Sequence, residues 1–215
     1  MKTARKVLII ALCAVLLVSI SVMGTMAYLT SKDSVTNTFT VGKVAIKLDE
    51  AKANADGTLV QGANRVDANS YKLLPGQTYN KDPMVTVLKD SEKSYIRMTV
   101  TVSKAEELDA IFAPAGANLL SIFNGYDGAT WLYKGDTDNA DNNTRTYEFW
   151  YKEAVAAPDA DVALDALFDS ITVPGSITNA QLATIEGMTI TVNAYAIQAA
   201  GFGTADLAWA AYPAA

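Results

Sequence analysis

The chain of 215 residues contains no histidine and a single cysteine, Cys13. Each absence closes off chemistry. Zinc hydrolases draw on imidazole or thiolate ligands and on a carboxylate that activates the bound water. A site made only of Asp and Glu would suit calcium or magnesium instead. Serine and cysteine nucleophiles usually need an imidazole base, and no Ser-x-x-Lys pattern stands in for one. No pair of carboxylates is marked out for glycosidase-like acid–base work; the acids are scattered and read as a solvated surface. Neither a catalytic residue, a metal site nor a cofactor is expected, and the chain reads as a non-enzyme.

What is present begins with a leader. Lys2, Arg5 and Lys6 form a basic start, Val7 to Met23 is almost wholly apolar, and Thr25 and Ala27 are the small residues a signal peptidase reads. The apolar run is shorter than the roughly 20 residues a spanning helix needs and is broken by Ser19 and Ser21, so a permanent anchor fits less well. The expected organisation is a helical signal peptide over 1–27, cut before Tyr28, and a single exported domain over 28–215. Contact with the membrane would then be through the uncleaved leader alone.

Cleavage removes three positive charges and no negative ones, taking the formal net charge from -6 to -9. So acidic a chain repels nucleic-acid phosphates, and no basic patch argues otherwise. Cys13 leaves with the leader, so no disulfide can staple the mature chain, which must hold itself together by burying a core.

The clearest period beyond the leader is two. In Tyr95 to Val102, Ile96, Met98, Val100 and Val102 share one face while Tyr95, Arg97, Thr99 and Thr101 take the other. Val44, Ile46 and Leu48 alternate in the same way, as do Val85 and Val87, Tyr147, Phe149 and Tyr151, and Met188, Ile190 and Val192. Turn signals at Asp56-Gly57, Pro75-Gly76, Asp127-Gly128 and Pro174-Gly175 separate these runs too closely for crossover helices. An all-β fold follows: an antiparallel, jelly-roll-like β-sandwich with short helical insertions.

Three insertions are expected. Ser103 to Glu106 has the form of a capping box ahead of Leu108, Ile111 and Phe112. Leu164, Leu167, Phe168 and Ile171 repeat a helical stripe, and Thr204 could cap a last helix carrying Leu207, Ala208 and Ala211. Asp136, Asp138 and Asp141 lie in a polar run, Gly135 to Thr144, that lacks the central glycine and closing glutamate of a calcium loop and reads as a hairpin turn. Tyr147, Phe149, Trp150 and Tyr151 could line a ligand face, but their alternation favours packing.

Three blocks carry a resemblance: Gly24-Thr25-Met26-Ala27-Tyr28-Leu29-Thr30 with Asn37-Thr38-Phe39-Thr40-Val41-Gly42, Leu74-Pro75-Gly76-Gln77-Thr78 with the strands after it, and Ile190 to Ala199 running into Ala208-Trp209. They are similar to the TasA, CotN and camelysin group of exported proteins, whose leaders are removed by a SipW-type signal peptidase. The segment 119–178 matches nothing in that group. The resemblance implies a secreted subunit of biofilm-matrix or surface fibres, a homopolymer located in the extracellular matrix or at the cell surface. A camelysin-like protease is the poorer expectation, for want of histidine. Edge strands can accept another chain's strand, and the segment that cleavage frees, carrying Tyr28, Leu29, Val35 and Phe39, is the candidate donor. The alternative is a monomeric surface module binding carbohydrate or a host ligand.

Overall fold

The computed structural model describes residues 2–26, 42–112 and 122–213. The chain forms two units, Met1–Val41 and Gly42–Ala215. In the first, α1 (Lys2–Met26) is a single helix on which Val7, Leu8, Ile10 and Leu12 are exposed. In the second the elements run β1 (Ile46–Asp49), β2 (Thr78–Asn80), β3 (Met84–Val87), β4 (Ser91–Ser103), α2 (Ala105–Phe112), β5 (Phe123–Asn124), β6 (Trp131–Asn139) and β7 (Thr144–Tyr151). They continue with β8 (Val155–Ala157), β9 (Val162–Ala163), β10 (Ser170–Thr172), α3 (Asn179–Thr184), β11 (Ile190–Gln198) and α4 (Ala205–Ala210).

The unit is mostly β, and all its ladders are antiparallel. The largest sheet has the order β11-β4-β7-β6, with β8 pairing the start of β4, and two three-stranded sheets have the orders β1-β3-β9 and β2-β10-β5. β4 dominates because its alternation is sustained over 13 residues. Ile96, Met98, Val100 and Val102 are fully buried and join Val85, Val87, Trp131, Phe149, Leu167 and Phe168 in one apolar core that draws on all three sheets.

Two of the expected helices form, one with an unexpected cap. α2 begins at Ala105, yet Ser103 does not cap it, because its hydroxyl accepts from Thr189 N at 2.8 Å within the sheet. The cap comes from the β6–β7 turn. Asn143 Oδ1 accepts from Glu106 N at 3.0 Å, and Asn143 Nδ2 donates to Glu107 Oε2 at 2.7 Å. α4 forms as expected, with Thr204 Oγ1 accepting from Leu207 N.

The stripe Leu164 to Ile171 is not a helix. Its backbone N–H groups go to neighbouring strands, Leu164 to Val85 O at 2.9 Å and Leu167 to Pro83 O at 3.0 Å, and Ile171 lies in β10. Leu164, Leu167 and Phe168 are buried because this connection crosses the core. A helix missing from the expectation is α3, where Thr178 and Gln181 make a full capping box.

The run Gly135 to Thr144 is mostly strand rather than turn. β6 and β7 pair through Asn139↔Thr144, so only Ala140 to Asn143 turn, and the register shifts at Tyr133/Gly135, where Gly135 has φ +126°. Asp136 and Asp138 face Arg145, which bonds Asp138 at 2.5 Å and reaches across to the Asp109 carboxylate of α2 with two bonds of 2.8 and 2.9 Å. Asp141 sits in the turn itself.

The long segment from Ala51 to Gln77 has little ladder structure and is held by charge. Arg65 bridges Asp49 at 2.5 Å and Asp82 at 2.8 Å, and donates to the carbonyls of both. Asp49 is 5% exposed. Burial alone would raise its carboxyl, but hydrogen bonds from Lys47 and Arg65 outweigh that and hold it below its ordinary value.

Two outcomes follow. Asn143→Ala, which removes the α2 cap, lowers unfolding stability by about 1–2 kcal/mol in a denaturant melt, and an unchanged midpoint would exclude the cap. Because the Asp49 carboxyl is depressed in the folded state, its contribution is fully present above the unfolded value of about 3.9 and is lost as pH falls through the lower folded value. Asp49→Asn is therefore less stable near neutrality but loses less stability than the parent chain as pH falls below about 4.

Candidate strand-acceptor edge

β11 occupies one end of the largest sheet. Nine consecutive residues pair with β4, from Ile190↔Val102 to Gln198↔Ser94, without a bulge. Its other side has no ladder partner among the described residues. Edge strands are normally blunted by charge, proline or a bulge. Ile190 to Gln198, Ile-Thr-Val-Asn-Ala-Tyr-Ala-Ile-Gln, contains no charged residue, proline or glycine. The opposite edge, β6, has such protection: Lys134, Asp136 and Asp138 along its length and the register shift before Gly135. The two edges of one sheet thus differ in their readiness to accept a strand.

Alongside the open edge of β11 lies β1, itself an edge of its sheet. Cα atoms of the two strands come within 8 Å, yet no ladder joins them. At one end both chains are tied to the start of β4: Glu92 N donates to Lys43 O at 2.8 Å, and Ala199 N donates to Lys93 O at 2.7 Å. At the other end Asp49 and Glu50 face Ile190 to Val192 across a cleft of about 210 Å³. The strands therefore run antiparallel beside a seam that is closed near Lys43 and open near Glu50.

The open end leads into a second, larger cavity of about 440 Å³. Asn69, Lys81, Ile190 and Thr191 border both spaces. Its apolar walls come from Tyr79, Leu108, Val173, Ile177 and Ile185, all buried, so the wall is built by β2, α2, the end of β10 and α3. Tyr71 stands at this wall with its ring 5.5 Å from that of Tyr79. Burial, and then the charge of Glu50, push its phenol well above the ordinary range, so Tyr71 enters as a neutral donor, bonding Asn80 O at 2.6 Å. An extended chain laid along β11 would find backbone partners on one side and an apolar hollow at its end.

Of the residues expected to carry function, Thr25 lies in the last turn of α1. Ala27 and Tyr28, with the donor residues Leu29, Val35 and Phe39, lie outside the described residues. The aromatic group of β7 is divided by its alternation: Tyr147 and Phe149 are buried, while Trp150 turns to the other face and meets Trp209 of α4 at 6.1 Å. Tyr147 is pushed up to about 12, chiefly by burial. These rings pack into the core and against α4.

That outer face has its own clamp. Arg97 lies over Trp209 at 4.5 Å, Tyr195 at 4.9 Å and Tyr212 at 5.1 Å, fixing α4 to the sheet by cation–π contacts. Sequence reasoning missed the acceptor edge itself. Its signal, a nine-residue strand without charge, is visible in the sequence, but its position at the end of a sheet is not. Among the described residues no group of three or more histidine, cysteine or acidic side chains stands ready to hold a metal ion. Comparison of the chain with family models, with curated proteins and with solved structures finds no match.

Proposed function

We propose that the chain is a secreted structural subunit of extracellular matrix or surface fibres, folded as a jelly-roll-like β-sandwich and related to TasA-like proteins. Assembly follows removal of the leader before Tyr28 by a SipW-type signal peptidase. The freed segment, carrying Leu29, Val35 and Phe39, then adds as a strand to the open edge of β11 in the next subunit. The observation that carries this reading is the uncharged, unpaired β11 edge beside the seam. The subunit is proposed to have no enzymatic role and no cofactor.

The dimensions set a condition. A strand inserted between β1 and β11 needs about 9.6 Å between its neighbours, twice the usual strand spacing. The two strands approach more closely than this, so the seam must widen to admit a strand, which favours entry from the Glu50 end. The apolar residues of the donor, spaced at even intervals from Val35 to Phe39, would share one face and reach the cavity together.

A second reading, a monomeric surface binding module, is favoured by the size of that cavity. About 440 Å³ lies in the range of small-molecule sites, and its apolar walls suit an apolar ligand better than a carbohydrate.

Electron microscopy of the secreted, cleaved protein separates the two. Filaments are expected; a persistent monomer would overturn the fibre reading. Deleting residues 28–34 is expected to abolish filaments while leaving a folded monomer. Thr191→Lys, which charges the exposed edge of β11, is expected to do the same with a stability change within about 0.5 kcal/mol. Unaltered filaments from Thr191→Lys would place the contact elsewhere.

A further inference from the structure

One buried carboxylate in the second unit is bound to both an amine and a primary amide. Lys81 Nζ donates to Glu50 Oε2 at 2.6 Å, and Asn69 Nδ2 donates to Glu50 Oε1 at 2.9 Å. Glu50 is 4% exposed and Lys81 9%. The Asn69 amide is further fixed: Nδ2 also donates to Ala51 O at 2.8 Å, and Oδ1 accepts from Ala53 N at 2.9 Å. Only this orientation of the amide satisfies all three neighbours.

We propose that Lys81 and Asn69 form an intramolecular isopeptide bond, with Glu50 as the proton-transfer group. The arrangement holds an amine and a primary amide on the two oxygens of one carboxylate. The amine must be neutral to attack, and Glu50 is within hydrogen-bond reach to take its proton. The free Nζ lone pair then attacks Asn69 Cγ, forming the C–N bond, while the carbonyl π pair moves onto Oδ1. The Ala53 N–H faces that oxygen and stabilises its developing charge. The proton that Nζ sheds on becoming an amide passes through Glu50 to Nδ2. The Cγ–Nδ2 bond breaks, and the nitrogen leaves as ammonium with the proton first taken from Lys81. Glu50 ends as it began. No oxidant, metal or co-reactant is required, and the burial of Glu50 and Lys81 keeps the proton transfers within the cluster.

The bond would close the loop from Asn69 to Lys81. That loop carries Tyr71, Leu73 and Tyr79, which line the larger cavity, and it stands at the open end of the seam. A covalent brace there holds the wall in place when the edges are pulled apart. The inference stands whether or not the chain forms fibres.

The test is the intact mass of the full exported chain after folding. The expected mass is about 17 Da below that calculated for the residues the exported chain retains, one ammonia lost when the amine acylates. A digest should yield a branched peptide joining Lys81 to Asn69. Glu50→Gln, checked for folding by circular dichroism, is expected to restore the full calculated mass. A folded parent chain at its calculated mass overturns the proposal, as does a gain of about 1 Da at Asn69, the mark of hydrolysis to aspartate instead of acylation. An undiminished loss in folded Glu50→Gln removes Glu50 from the reaction. The parent mass and its branched peptide decide the bond even if Glu50→Gln does not fold.

Discussion

The pairing of β4 with β7 on one side and β11 on the other is the interaction on which the rest of the structure depends. Strict alternation through 13 residues sends Ile96, Met98, Val100 and Val102 into the core with no exposed surface. The opposite face carries Thr99 with Arg97, which holds α4, and Thr101, which bonds Thr146 of β7. A shift of one residue in either ladder would exchange these faces, so the register is strongly fixed. Because β4 has β7 on one side, its other side is free for β11, and β11 in turn becomes the end of the sheet.

That position is where structural constraint meets the proposed function. Ending a sheet leaves a row of backbone groups without partners, and proteins usually guard such a row. Here the two ends are treated differently. β6 is kinked at Gly135 and lined with charge, and its acids are gathered by Arg145. β11 has neither device and runs beside β1 without bonding to it. Two carboxylates near this edge, Asp49 and Glu50, are instead buried at the mouth of the seam, where they are occupied by Arg65, Lys47, Lys81 and Asn69. The local chemistry therefore braces the mouth without blocking the edge.

Much of the scaffold was legible in the sequence, because period-two alternation is a direct record of burial. The strands around Ile96, Val85, Phe149 and Ile190 declare themselves in this way. The failures have a common cause: the deciding bond is made across the fold. Ser103 has the spacing of a helix cap, but Thr189 claims its hydroxyl, and Asn143, remote in sequence, does the capping. Leu164, Leu167 and Phe168 imitate a helical stripe because a crossing segment happens to bury them at that spacing. The Asp-rich hairpin reads as a loop until Arg145 is seen to neutralise it. Glu50, Asn69 and Lys81 belong to no motif at all, since only the fold brings the three together. The acceptor edge is an intermediate case, its lack of charge readable and its place in the sheet not.

The central claim is that the outer edge of β11 is unpaired in the subunit and paired in the assembly. Amide hydrogen exchange measured on the secreted protein before and after assembly tests this most directly. The account predicts that within Ile190 to Gln198 the amides facing β4 are protected throughout, while the alternate, outward-facing amides exchange rapidly in the monomer and become protected in the fibre. Outward amides already protected in the monomer, or still exchanging rapidly in the fibre, would contradict it.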